Sequence, residues 1–201
     1  MRLFYALTLG PSQKHQMAAW QEAMEPLFGR SRRTEKDNVH LTLRFLGDMD
    51  DAQLDTLEEV LGRTAAETPP LGFTLDRADR FEKRRGNIWF AGMSRRPEEL
   101  LQLKERQDHW LEWGGFGAEP VPFTPHVTLF RSVREEAGEE TIRQAVAGRT
   151  VEVRCRELVL MESRSGPQGV RYVPWRTAAL DGRAAQPQKG RCRNEHSDCT
   201  G

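Results

Sequence analysis

Apolar residues fall in short alternating or blocked runs along most of this chain, and glycine, proline and charge separate the runs. Residues 2–9 read as a strand, and the break Gly10-Pro11-Ser12 introduces a helix over residues 13–28 with Ser12 as its N-cap. The arginine-rich segment Arg30-Ser31-Arg32-Arg33 reads as a loop. Residues 39–46 form a second strand, ended by Gly47-Asp48. Asp50 or Asp51 then caps a helix whose Leu54, Leu57, Val60 and Leu61 recur at helical spacing until Pro69-Pro70. Residues 73–81 and 87–93 pair around the turn Lys83-Arg84-Arg85-Gly86. Pro97 opens a helix carrying Leu100, Leu101, Leu103 and Trp110, which Gly114-Gly115-Phe116-Gly117 ends. A strand around Val127 follows, then a polar helix over residues 135–147 and closing strands over 151–153, 157–162 and 170–180.

This order predicts an α+β fold with mainly antiparallel pairing. Residues 1–180 are expected to form one domain. Residues 181–201 hold few apolar side chains and are expected to be a disordered tail.

Thirty basic residues balance thirty acidic ones. That balance argues against a protein that coats long nucleic acid by charge neutralisation alone, while leaving room for a small nucleotide-end site. No apolar run approaches the ~20 residues of a membrane span, and the N-terminus lacks the pattern of a signal peptide, so a cytoplasmic location is expected. Three cysteines suggest no disulfide framework. Cys192, His196 and Cys199 in the tail lack the fourth ligand of a closed zinc site, so no metal and no cofactor are expected.

One pattern occurs twice: His40-Leu41-Thr42-Leu43 and His126-Val127-Thr128-Leu129. In a strand, residues i and i+2 share a face, so each copy presents a histidine beside a threonine. With five histidines, thirteen threonines and 37% hydrophobic residues, two matches are roughly a one-in-a-thousand coincidence. A duplicated site explains them better. Two imidazoles suit general acid–base catalysis near neutral pH, and threonine hydroxyls add donors for a phosphoryl group. Arg131 and Phe45 fall out of phase with the histidines under strict alternation, so Arg131 can reach the site only if a bulge turns it inward. Arg44 and Phe130 are in phase and could line a cleft. His15 and His109 read as helix-surface residues.

The segments 37–47 and 122–131, with Trp89-Phe90-Ala91-Gly92, Glu162-Ser163-Arg164 and Tyr172, resemble the two-histidine phosphoesterases, and within them the bacterial RNA 2′,3′-cyclic phosphodiesterases, also described as 2′-5′ RNA ligase-like proteins. The resemblance implies a bilobal, pseudo-twofold fold with two antiparallel sheets flanking a cleft. It implies metal-independent hydrolysis of RNA 2′,3′-cyclic phosphate ends to a 2′-phosphate, with reverse 2′-5′ ligation. It assigns His126 as proton acceptor and His40 as proton donor, an order the near-equivalent motifs leave open. Thr42, Thr128 and Arg131 would bind phosphate, and Phe45 would stack a base. RNA 3′ ends or small cyclic nucleotides are the partners this implies; the sequence itself leads us to expect no membrane and no obligate protein partner, the chain acting as a monomer. Three alternatives remain: a noncatalytic RNA-end or nucleotide-binding module, a hydrolase using a metal held by His40 and His126, and a phosphodiesterase acting on a cyclic phosphate of ADP-ribose.

Overall fold

In β1 (Arg2–Thr8), Leu3, Tyr5 and Leu7 are fully buried in the main core, while Phe4 and Ala6 belong to a second, smaller cluster on the opposite face. A strand buried on both faces is central. The computed structural model describes residues 1–167 and 169–183, and among them β1 sits inside a sheet ordered β10-β9-β1-β3-β7-β6-β5, with β2 also paired to β7. These strands are β2 (Phe28–Arg33), β3 (His40–Asp48), β5 (Arg77–Phe81), β6 (Asn87–Gly92), β7 (Val127–Glu135), β9 (Glu157–Gly166) and β10 (Gly169–Ala179). Every pairing is antiparallel. The two halves, β10-β9-β1-β3 and β7-β6-β5 with β2, are joined in register by the single pair Leu41↔Val127. A separate ribbon pairs β4 (Leu71–Leu75) with β8 (Val151–Cys155).

Three amphipathic helices cover one side. Met17, Trp20 and Met24 of α1 (Pro11–Met24), Leu57, Val60 and Leu61 of α2 (Asp51–Ala66), and Leu100, Leu103 and Leu111 of α3 (Glu98–Trp113) bury themselves with Leu3, Tyr5 and Leu7. Each such side chain contributes about 1.5–3 kcal/mol. The helices leave the opposite sheet face for a cleft, so the α+β, two-halved arrangement expected from the sequence is the one observed. Among the described residues no helix is long and apolar enough to cross a membrane.

Several local expectations need correction. Asp50 does cap α2, in a capping box with Gln53. Ser12 does not cap α1: Gly10 holds the N-cap position and Pro11, whose fixed φ suits a first helical turn, starts the helix earlier. The arginine-rich segment is the strand β2. It has no apolar alternation and is extended because its backbone pairs with β7, a long-range contact. Residues 73–81 form two strands in different sheets, divided at Asp76, whose backbone donates to the Gly92 carbonyl and whose carboxylate holds Ser94. The helix expected from residue 135 begins only at Glu139, as α4 (Glu139–Gln144), because Glu135 ends β7. The Glu135 carboxylate accepts from Trp89 Nε1 at 2.7 Å and Asn87 Nδ2 at 2.9 Å. Burial alone would raise its pKa, but these bonds and Arg80 hold it below the usual carboxylate range. The backbone of Asp181 and Gly182 still hydrogen-bonds to Ala65 and Thr68 beside the end of α2. Residues 184–201, including Cys192, His196 and Cys199, lie outside the described residues.

Candidate active site

The pair Leu41↔Val127 decides where the chemistry lies, because antiparallel register then sets His40 across from Thr128 and Thr42 across from His126. Directly opposed side chains have Cβ atoms about 4.5–5.5 Å apart. Each histidine thus has its own threonine two residues along and the other motif's threonine across. Two openings meet here, one of about 150 Å³ that includes His40, Asn38, Arg32 and Tyr172, the other of about 390 Å³ that includes His126, Thr42, Phe45 and Phe81. Thr128 and Arg131 line both.

Arg131 and Phe45 reach the cleft through matched irregularities. In β3, Thr42 pairs with Ala6 and Arg44 with Tyr5, so two steps on β3 face one step on β1. In β7, Thr128 pairs with Phe90 and Phe130 with Trp89, again two steps against one. Each bulge inserts a residue and reverses the alternation beyond it. Phe45 and Arg131, both five residues after their histidine, therefore turn to the cleft side. Arg44 and Phe130, which strict alternation placed there, turn to the helix side. Phe130 is fully buried against Phe28. Arg44, also buried, donates to the Gly117 carbonyl and pairs with Asp108 at 3.5 Å and Glu119 at 3.9 Å. It ties β3 to the segment that leads into the second motif. His15 and His109 are exposed on α1 and α3.

The imidazoles are oriented alike. His40 Nδ1 lies 2.7 Å from the Asn38 carbonyl and His126 Nδ1 lies 2.7 Å from the Thr124 carbonyl. A carbonyl only accepts, so each Nδ1 carries the proton and each Nε2 is left for chemistry. His40 Nε2 lies 2.9 Å from Thr42 Oγ1, which donates to the neutral ring and accepts from the charged one. Phe4 and Tyr172 flank His40 at centroid distances of 4.9 and 5.0 Å, and Phe90 and Phe81 flank His126 at 5.1 and 5.0 Å. Burial among these rings pushes the His40 pKa down to about 4. The charges of Arg131, His126 and Lys14 act in the same direction, while the Asn38 carbonyl opposes them. His126 is likewise held below the ordinary imidazole range, by burial first and then by Arg131, against the Thr124 carbonyl. Arg131 acts on both rings, as expected of one shared site.

Asn38 escapes pattern reading because it sits in a short turn before β3. Beyond its carbonyl bond to His40, its side-chain amide donates to the Val170 carbonyl at 2.6 Å and accepts from the Tyr172 backbone at 3.0 Å. It thereby fastens β10, and Tyr172 with it, beside His40. Replacing Asn38 by alanine removes two hydrogen bonds, and is expected to cost about 1–2 kcal/mol of stability and to lower kcat about tenfold. Urea unfolding and steady-state turnover read the two effects, and an unchanged kcat would show that the fastening does not orient His40. Among the described residues no three His, Cys, Asp or Glu side chains gather as a metal site would require.

Residues 10–167 match the model of a family described as the 2′-5′ RNA ligase superfamily. An Escherichia coli (strain K12) protein named RNA 2′,3′-cyclic phosphodiesterase is 32% identical over 135 residues, which span 67% of this chain and 73% of that protein. A Methanothermobacter thermautotrophicus protein of the same name is 25% identical over 179 residues, spanning 86% of this chain and 95% of the other. Among solved structures, E. coli LigT complexed with 3′-AMP is similar with a TM-score of 0.75 and 28% identity, covering 89% of this chain and 97% of that one. TT0787 of Thermus thermophilus is similar at 0.71 and 26%, covering 90% and 98%.

Proposed function

Since the chain belongs to the 2′-5′ RNA ligase superfamily, we propose that it is a phosphodiesterase that opens the 2′,3′-cyclic phosphate at an RNA end and leaves a 2′-phosphate. The observation that carries this reading is the pair of imidazoles whose Nδ1 protons are held by backbone carbonyls, so that each Nε2 is left for chemistry at one of two adjoining openings that share Thr128 and Arg131. Base and acid on opposite sides of one phosphorus suit an in-line displacement. Neutral His126 takes a proton from water as the water oxygen bonds to phosphorus. The bond from phosphorus to O3′ breaks, and charged His40 gives its Nε2 proton to O3′. Thr42, Thr128 and the Arg131 guanidinium stabilise the nonbridging oxygens as their charge grows. Phe45, 55% exposed beside the cleft and tilted against Phe4, offers a face to the terminal base. A 5′-hydroxyl in the place of water gives a 2′-5′ linkage by the same bond choice.

Incubation with a short RNA ending in 2′,3′-cyclic phosphate, with EDTA present, is expected to yield a 2′-phosphate end at the rate seen without chelator. A 3′-phosphate product would reverse the bond choice. Loss of turnover on chelation would point to a metal held by the histidines. An unchanged end would leave a binding module or a different cyclic phosphate, such as that of ADP-ribose, as the better reading.

A further inference from the structure

The register of β2 on β7 places Arg30 opposite Arg134 and Arg32 opposite Arg131. Directly opposed like charges destabilise a sheet, and no carboxylate lies within ion-pairing distance of any of the four among the described residues. Elsewhere the chain pairs its arginines freely: Arg33, next along β2, lies 3.5 Å from Glu25 and its side chain bonds to Gln21. β7 even spends a left-handed residue on the arrangement. Ser132 has φ 54°, and at this irregularity three steps on β7 match two on β2, which keeps Arg131 and Arg134 on the face shared by Arg30 and Arg32. The turn between β5 and β6 lies over the same point. A Cβ on Gly86, whose φ is 105°, would come within 2.7 Å of the Ser132 backbone, so only glycine allows this approach. The turn brings Lys83, Arg84 and Arg85, all exposed, beside the ladder.

We propose that this arginine ladder is a binding lane for the phosphates of an RNA strand that runs away from the cyclic end, so that the protein prefers an oligonucleotide to a mononucleotide. The proposal rests on the phosphodiesterase reading for the position of the terminal phosphate, since Arg131 and Arg32 line the cleft where the ladder begins. Its outer rung, Arg30 and Arg134, is exposed and lines neither opening of the site. Rungs two strand residues apart are separated by ~7 Å, a step suited to successive phosphates of an extended chain. A chain with no net charge that gathers unpaired arginines on one strip has the electrostatic footprint of a polyanion site.

The test is the double substitution Arg30→Gln/Arg134→Gln in the full chain. Binding of a fluorescent ten-nucleotide RNA with a 2′-phosphate end is read by anisotropy at several salt concentrations, and thermal unfolding is recorded beside it. The affinity is expected to fall at least tenfold at low salt, and the slope of log K against log salt to flatten by about 1.4 for two lost phosphate contacts. The Tm is expected to rise by about 1–3 °C as the like-charge repulsion is relieved. Hydrolysis of a 2′,3′-cyclic mononucleotide should be unchanged. RNA affinity and salt slope equal to wild type would overturn the lane. Absence of turnover by the wild-type protein would instead count against the phosphodiesterase reading, because the binding measurement needs no chemistry.

Discussion

Replacing His40 or His126 by alanine is expected to lower kcat by about 10²–10⁴, with near-native circular dichroism in both variants. Each imidazole supplies one proton transfer in the proposed displacement, so neither can cover for the other. The double variant should fall little further than the worse single one, because two groups acting as a unit lose their joint contribution when either is removed. Glutamine at each position separates position from chemistry, since it can donate to the Asn38 or Thr124 carbonyl and cannot carry a proton between oxygens. The glutamine variants should therefore regain stability without regaining rate. Wild-type turnover in both alanine variants would remove the two-histidine mechanism outright.

The candidate site was legible in the sequence because its motif is duplicated, and a repeated tetrapeptide keeps its meaning without knowledge of the fold. The register was not legible. The reading of Arg44 and Phe130 as cleft residues followed from an unbroken period of two, and the bulges that break it arise where β3 meets β1 and β7 meets β6, contacts between segments far apart in the chain. Arg131 needs such a bulge to reach the cleft, which its spacing from His126 does show. Phe45 occupies the equivalent place in the other half because β3 carries the matching irregularity against β1. β2 was hidden for a related reason: Gly29 to Arg33 carry no apolar signal, and their extended form is imposed by β7. The helices and their buried stripes were legible because helical spacing is local. Asn38 and the rings of Phe4, Phe81 and Phe90 act on the histidines from other segments or by backbone contacts, and no short pattern announces them.

Binding of a phosphodiester is expected to be coupled to proton uptake by His40. In the free protein burial holds this group near 4, so it is neutral at pH 7 and unable to act as an acid. An anion close to it favours the charged ring. At 4 Å such a charge pair is worth about 1–4 kcal/mol across the dielectric range of a protein surface, or roughly 1–3 pKa units. The complex therefore binds a proton that the free protein does not, and affinity must rise as the pH falls between the two pKa values. A deoxydinucleoside monophosphate, whose diester charge does not titrate in this range and which has no 2′-hydroxyl, should bind about 2–50 times more tightly at pH 5 than at pH 7, as follows from raising a group near 4 by roughly 1–3 units. His40→Gln should remove the part of that dependence carried by His40 and leave the part carried by His126, which faces the same anion. Stability of the free protein moves in the opposite sense, because the unfolded chain takes up the proton first: as the pH falls from the unfolded value of 6.5 to the folded value near 4, up to about 3 kcal/mol is lost through His40. The same requirement for a charged His40 and a neutral His126 makes the rate bell-shaped in pH. Affinity for the diester that does not change with pH, or a rate that is flat between about pH 5 and 8, would show that the two rings do not divide the roles of acid and base.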